Sequence, residues 1–368
     1  MTHFACGLDF GTSNSTVGVV RGGQPTLLPL EDGKITIPSA IFFNTEDDVT
    51  SYGRAALADY LSGYEGRLMR SLKSLLGSKL IDDQTEVQGR AMPFRELLAQ
   101  FIGELKRRAE ATAGRSFSNA VLGRPVFFVD GDPEADRRAE DTLAEVARAV
   151  GFRDIAFQYE PIAAAFDYEA TIHGEQLVLV ADIGGGTSDF SVVRVGPERA
   201  QRVERRDDIV ASHGVHIAGT DFDRRVSLAT IMPLLGHGTM GVAQPGEMAL
   251  PISSRIYFDL ATWHLINTLY QPARVAEVRA LQPVYANPVH HQRLLKVLTA
   301  RLGHALAGQA EAAKIAVAEG HDGSLDLTLL ERDLHAELDA AHTEQALHDD
   351  IDKSFHATVT DHARDSWA

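Results

Sequence analysis

The spacing of apolar positions predicts a mixed chain of strands and helices. Residues 6–21 and 179–194 each read as an apolar run, an Asp, a Gly/Thr/Ser turn and a second β-branched run, the pattern of a β-hairpin with a small-residue tip. Ile41–Asn44, Ala120–Val129 and Ile155–Tyr159 read as further strands. Helical spacing predicts helices over 54–61, 66–76, 93–113 and 133–150, the last closing at Gly151, and one starting at Pro161. Gly and Pro cluster between Gly236 and Pro251, after which helical spacing returns over 255–270, 292–319 and 329–348. Strands interleaved with helices indicate an α/β layer architecture.

The two predicted hairpins are one motif used twice. With Asp9 placed on Asp182, the gapless alignment also matches Gly11 with Gly184, Ser15 with Ser188, and Val19-Val20-Arg21 with Val192-Val193-Arg194. This repeat predicts two lobes, 1–174 and 175–368, joined near Thr171–Gln176. A length of 368 residues is enough for both.

Composition narrows the function. The formal charge is −16, which repels nucleic-acid backbones and anionic lipid, so an anionic ligand needs a local, backbone-built site. The single Cys6 lies in an apolar run that predicts a buried strand, and it cannot form an internal disulfide. There is no basic n-region before Asp9 and no run of about 20 apolar residues. The expected address is the cytoplasm, with neither membrane nor nucleic acid as partner.

The hairpin tips, Asp9-Phe-Gly-Thr-Ser-Asn-Ser15 and Asp182-Ile-Gly-Gly-Gly-Thr-Ser-Asp189, have the chemistry of a phosphate site. Side-chain-poor turns expose successive N–H groups, and Thr12, Ser13, Asn14, Thr187 and Ser188 add short donors. Asp9 and Asp182 would repel a polyphosphate unless a cation intervened, which implies Mg²⁺ held through its waters. Taken singly, either loop is also explained as an ordinary tight turn; their repetition argues for the phosphate site. No G-x-x-x-x-G-K-[ST] occurs, and Asp189 breaks the G-x-G-x-x-G spacing, so P-loop and Rossmann sites are disfavoured. No H-E-x-x-H, Cys/His cluster or G-x-S-x-G is present, and solvated helix faces account for His290, His291, His335, His342, His348, His356 and His362.

Two further positions stand out. Leu68, Leu72, Leu75 and Leu76 form one apolar stripe of the predicted 66–76 helix and Lys73 lies off it, a pattern that by itself describes a solvated lysine. Pro161 suits a first helical position while Glu is a poor N-cap, so nothing structural calls for Glu160. A carboxylate at that corner can bind a water on Mg²⁺ or take a proton from a nucleophile; a solvent-facing loop Glu is the plain alternative.

These two loops, with Tyr159-Glu-Pro-Ile-Ala-Ala-Ala-Phe166 and Ile217-Ala-Gly-Thr-Asp-Phe-Asp223, resemble the ATPase domain of the seventy-kilodalton heat-shock, DnaK-type chaperones, and look closest to the divergent bacterial YegD-like branch. The resemblance runs to about residue 348. It implies an actin-like, ribonuclease-H-like fold with two lobes closing on Mg-ATP, and protein clients or co-chaperones as partners. Position by position it assigns Gly11, Thr12, Ser13 and Asn14 to the first phosphate loop and Gly184, Gly185, Gly186, Thr187 and Asp189 to the second. Asp9 and Asp182 fall on the hydrated Mg²⁺, and Gly219, Thr220 and Asp221 on the nucleotide. Ser71-Leu-Lys-Ser-Leu-Leu-Gly77 matches the segment that carries the family's catalytic lysine, which makes Lys73, Glu160 and Thr187 the catalytic set around the γ-phosphate. Pro125 and Arg137 match an interlobe signalling pair. Glu311 and Lys314 match the helix touching adenosine, although an i, i+3 surface ion pair explains them as well.

The departures matter too. The family closes its adenosine pocket with a strand and a Gly-Gly-Ser/Thr turn, whereas no Gly-Gly follows Gly186 here. The second lobe is therefore expected to lack its final strands, with self-association one way to complete the sheet. Residues 236–287 read as an insertion whose Arg255–Asn267 run is mainly core. The leading expectation is a chaperone-like ATPase; a nucleotide-gated scaffold with negligible turnover and a small-molecule kinase on the same fold are the alternatives.

Overall fold

The computed structural model describes residues 4–129, 131–215, 217–242, 248–263 and 265–365, with side chains to residue 354 in the last range. Part of the Gly236–Pro251 stretch, the side chains of His356 and His362, and the final Trp367-Ala368 lie outside the described residues. Two compact units meet at His216/Ile217, so the division falls after the second hairpin rather than before it.

The first unit opens with β1 (Ala5–Phe10), β2 (Asn14–Arg21), β3 (Gln24–Leu27), β4 (Thr36–Pro38), β5 (Ala40–Asn44) and β6 (Val49–Tyr52). It continues through α1 (Arg54–Leu61), β7 (Gly66–Arg70), β8 (Gln84–Val87), β9 (Arg90–Pro93), α2 (Phe94–Ala113), β10 (Asn119–Arg124), α3 (Pro133–Ala149), β11 (Asp154–Tyr159) and α4 (Glu160–Glu169). Its last strands are β12 (Gln176–Ile183), β13 (Ser188–Val195) and β14 (Ile209–Val215).

The main sheet runs β11-β10-β1-β2-β3. The β1–β2 and β2–β3 pairs are antiparallel, and β10 and β11 add in parallel. This is the ribonuclease-H-like layer of an actin-like ATPase fold. Alternation decides which side is covered: Cys6, Leu8 and Phe10 are buried among Phe101 and Leu105 of α2 and Leu143 of α3, while Gly7 and Asp9 face the open side. Burial pushes the Cys6 thiol up to about 12, which keeps it unreactive.

The repeat is real in three dimensions. Asp9 pairs with Thr16 across β1 and β2, and Asp182 with Asp189 across β12 and β13, the same register in both copies. The second hairpin belongs to a three-stranded sheet, β12-β13-β14. Ile162 and Ala165 of α4 pack on one face of it, against Val193, Val195, Val178 and Val180.

Several predicted elements are corrected. Residues 66–76 are a strand followed by a 3₁₀ turn, because Gly66–Arg70 pairs with β5. Leu68 accordingly packs beside Phe42 while Leu72 and Leu76 join the main core, so the four leucines are not one stripe. The strand expected over Ala120–Val129 ends at Arg124, whose guanidinium is held by Asp136 and Glu140.

The second unit contains α5 (Gly219–Thr230), α6 (Arg255–Ala261), α7 (Ile266–Leu269), α8 (Pro272–Ala280), α9 (Pro288–Thr299), α10 (Gly303–Ala318), β15 (Gly323–Asp326), β16 (His335–Leu338) and α11 (Ala340–Asp365). The predicted 292–319 helix is thus two helices, with Arg301 at positive φ between them. The predicted 329–348 helix starts only at Ala340; β16 pairs antiparallel with β15 in its place. Tyr257, Leu260 and Ile266 are buried as expected of core. His291 is buried with Nε2 2.9 Å from Val278 O, so a solvated face does not explain it.

Candidate functional site

Each candidate phosphate loop is built by the strands that flank it. Gly11 sits where a Cβ would overlap the Asn14 carbonyl, so the tight first tip requires glycine. Ser39 fixes this loop from behind: its hydroxyl donates to Gly11 O at 2.7 Å and its N–H to Ser13 O at 2.8 Å. The second tip closes through Gly184 N–H donating to Thr187 O at 2.9 Å. The two tips touch. A Cβ on Gly185 would overlap Ser13 Oγ, and one on Gly186 would lie 3.3 Å from a Thr12 methyl.

Lys73 and Glu160, far apart in sequence, are brought together, with Nζ 2.6 Å from Oε1. Ser71, at φ 56, turns the chain out of β7 and into the 3₁₀ segment carrying Lys73. Glu160 is the first residue of α4, with Tyr159 as the extended N-cap and Pro161 in the next position. This corrects the reading of Glu160 as a residue without structural cause, since a carboxylate is favoured in the first turn of a helix. Both side chains are largely shielded, 13% and 19% exposed, so the pair is stronger than a surface one. A Cβ at Gly123 of β10 would be 3.5 Å from Glu160 Oε1 and 3.6 Å from Asp9 Oδ1, which places both carboxylates at the same point of the sheet.

Negative charge accumulates here. Asp9 is pushed up to about 6, first by burial, then by Glu160, with Lys73 opposing and Asp182 adding. Solvent still reaches Asp9, so the burial is crowding of protein around an accessible carboxylate. Asp182 is raised by burial and Glu160, against Lys73. Asp189 is pushed up to about 6, by burial first, against the 3.0 Å hydrogen bond donated by Thr187 Oγ1 to its Oδ2. The Lys73 ammonium thus serves four carboxylates. A divalent cation among them would relieve the repulsion, and Asp9 and Asp182 are of the residue type that holds hydrated Mg²⁺. Among the described residues no three His, Cys, Asp or Glu side chains stand close enough to ligate a metal together.

Sequence reasoning missed Gly214. It lies opposite Asp189 on β14, and a Cβ there would overlap Asp189 Oδ1. Its only signal in the sequence is a glycine inside a strand-like run.

Gly219, Thr220 and Asp221 open α5 in the second unit. Asp221 secures the start of that helix, where its Oδ2 accepts from Ala218 N–H at 3.2 Å, and it pairs with Arg224 at 2.9 Å. Lys314 pairs with Asp223 at 2.6 Å and donates to Gly219 O at 3.2 Å, so the i, i+3 pair with Glu311 is replaced by a link from α10 to α5. Arg137 is exposed on α3, while Arg124 bonds the Pro125 carbonyl at 3.0 Å.

The family model described as Hsp70 protein matches residues 5–231, which spans both hairpins, α4 and α5 and covers more than half of the chain. Among the described residues no helix is long and apolar enough to cross a membrane. With one hairpin motif used twice, once in the ribonuclease-H-like main sheet and once in the β12-β13-β14 sheet, and with this match, the chain belongs to the Hsp70 family of chaperone-like, ATP-binding proteins.

Proposed function

We propose that the first unit binds the phosphates of Mg-ATP and supports slow hydrolysis to ADP and phosphate. The observation that carries this reading is the Lys73–Glu160 pair, set beside Asp9, Asp182 and Asp189 and the two touching glycine loops. In this reading the N–H groups of Gly11–Asn14 and Gly184–Thr187 bind the phosphate oxygens. Asp9 and Asp182 would hold Mg²⁺ through its waters, and the ion would supply charge that neutralises the phosphates. Lys73 screens the γ-phosphate and holds Glu160 in place; Glu160 orients the attacking water and accepts its proton; Thr187 donates to the γ-phosphate. The resemblance also assigns Gly219, Thr220, Asp221, Glu311 and Lys314 to nucleotide contact. Protein clients or co-chaperones are the partners that the family membership suggests.

Calorimetric titration with ATP and with ADP, with and without Mg²⁺, tests binding; single-turnover hydrolysis tests chemistry. Magnesium-dependent binding with turnover lost in Lys73→Ala and Glu160→Gln is the expected result. Turnover indifferent to both substitutions sinks the assignment. A second reading, nucleotide binding with negligible turnover, rests on the sequence, where no Gly-Gly follows Gly186 to close the adenosine pocket. Binding without phosphate release would select it.

A further inference from the structure

The sheets that carry the two hairpins have free edges, and those at β3, β11 and β14 are blunted. β3 contains Pro25, β11 opens on Asp154, and β14 joins β13 through a register shift at Val192/Val193 and carries His213 and Gly214. Proline, charge and bulges are the usual protections against edge-to-edge pairing. β12 has no Pro and no bulge, and its one charge, Asp182, stands next to its C-terminal end. From Gln176 to Ala181 it is uncharged and without Pro or Gly, and Leu177 and Leu179 are 62% and 60% exposed. The matching edge of β1 in the first hairpin is occupied by β10, whereas among the described residues no strand pairs with the outer edge of β12.

We propose that β12 pairs antiparallel with β12 of a second copy of this chain, about a two-fold axis that sets Leu179 opposite the partner's Leu179. Two considerations select this occupant and register. With a net charge of −16, two copies approach at least cost where the contact is largely uncharged, and the Gln176–Ala181 run, with Asp182 only at its margin, is such a surface. Side chains also alternate between faces, so a continuous sheet needs residues of the same face opposite one another. Centring on Leu179 satisfies this and keeps Gln176–Asp182 within the paired strand: Leu177 meets Ala181, Val178 meets Val180, and Gln176 meets Asp182. Centring on Val180 would oppose Asp182 to Val178, a charge against an apolar residue. Aliphatic cross-strand pairs are the stabilising unit of such a joint.

Sedimentation velocity on the full chain across a concentration series tests the state, and oxidative cross-linking tests the register. Cys6 is buried, so an introduced thiol is the reactive one. The expected results are a dimer for the wild-type chain, a monomer for Leu179→Lys with an unchanged far-UV circular dichroism spectrum, and a disulfide-linked dimer for Leu179→Cys but not for Leu177→Cys. A wild-type chain that stays monomeric overturns the proposal. So does a Leu179→Lys variant that still dimerises, or cross-linking through Leu177→Cys in place of Leu179→Cys. If Leu179→Lys does not fold, the pair of cysteine variants decides.

Discussion

Lys73 holds Glu160 and at the same time lowers the cost of ionising Asp9, Asp182 and Asp189. Removing it is therefore expected to reduce single-turnover hydrolysis by about 10²-fold or more, the scale of losing a charge-stabilising or acid–base group. Asp9 makes a prediction about stability. Its carboxyl in the folded chain keeps a proton up to about 6, above the ordinary 3.8, so between those values the native state binds the extra proton. Its contribution to stability falls as pH rises through that window and stays unfavourable above it. Without ligand, Asp9→Asn should melt higher than the wild-type chain at pH 7, and the difference should vanish near pH 3; an Asp9→Asn variant that melts lower at neutral pH contradicts this. Lys73 also shows the limit of reading residues singly. Its partner lies on a distant helix, and only the pairing distinguishes it from a solvated lysine.

Each element delivers its residue through its own ends. The tips of the hairpins touch at Gly185 and Ser13, so Gly185→Ala should force them apart and cost about 1–3 kcal/mol by overpacking, measured as a drop in denaturation midpoint together with weaker ATP binding. α4 is anchored at the end opposite Glu160. Glu169 accepts from Gly196 N–H at 2.8 Å and from Arg205 at 2.9 and 3.0 Å, and both side chains are only 2% exposed. Glu169→Ala leaves Arg205 with Asp208 alone in a buried place, and a loss of about 3–5 kcal/mol is expected in chemical denaturation. The hairpins, α2, α3 and α4 are legible in the sequence because their periodicity is local and strong. The 66–76 segment misleads since its leucines satisfy a helical stripe as well as the strand that β5 imposes. β15 and β16 escape sequence reading because short strands, four residues each, carry little alternation.

For the whole molecule, the charge of −16 makes an anionic ligand dependent on counter-charge. Chelating magnesium with EDTA should weaken ATP binding by more than about tenfold in calorimetry, whereas a ligand held by side-chain cations alone would keep its affinity. What the sequence by itself determined is the duplicated Asp-turn-Ser hairpin, the family it belongs to and the residues at its tips, because all of these are written in contiguous segments. Tertiary structure decided what contiguous segments do not carry. It set Lys73 against Glu160, seated Asp189 over Gly214, and joined Lys314 to Asp223 rather than to Glu311. It also put the unit boundary after β14 and left β12 at a sheet edge. The physical reason is common to all of these: a side chain's charge, partner and exposure depend on which distant backbone the sheet register and helix packing bring within a few ångströms.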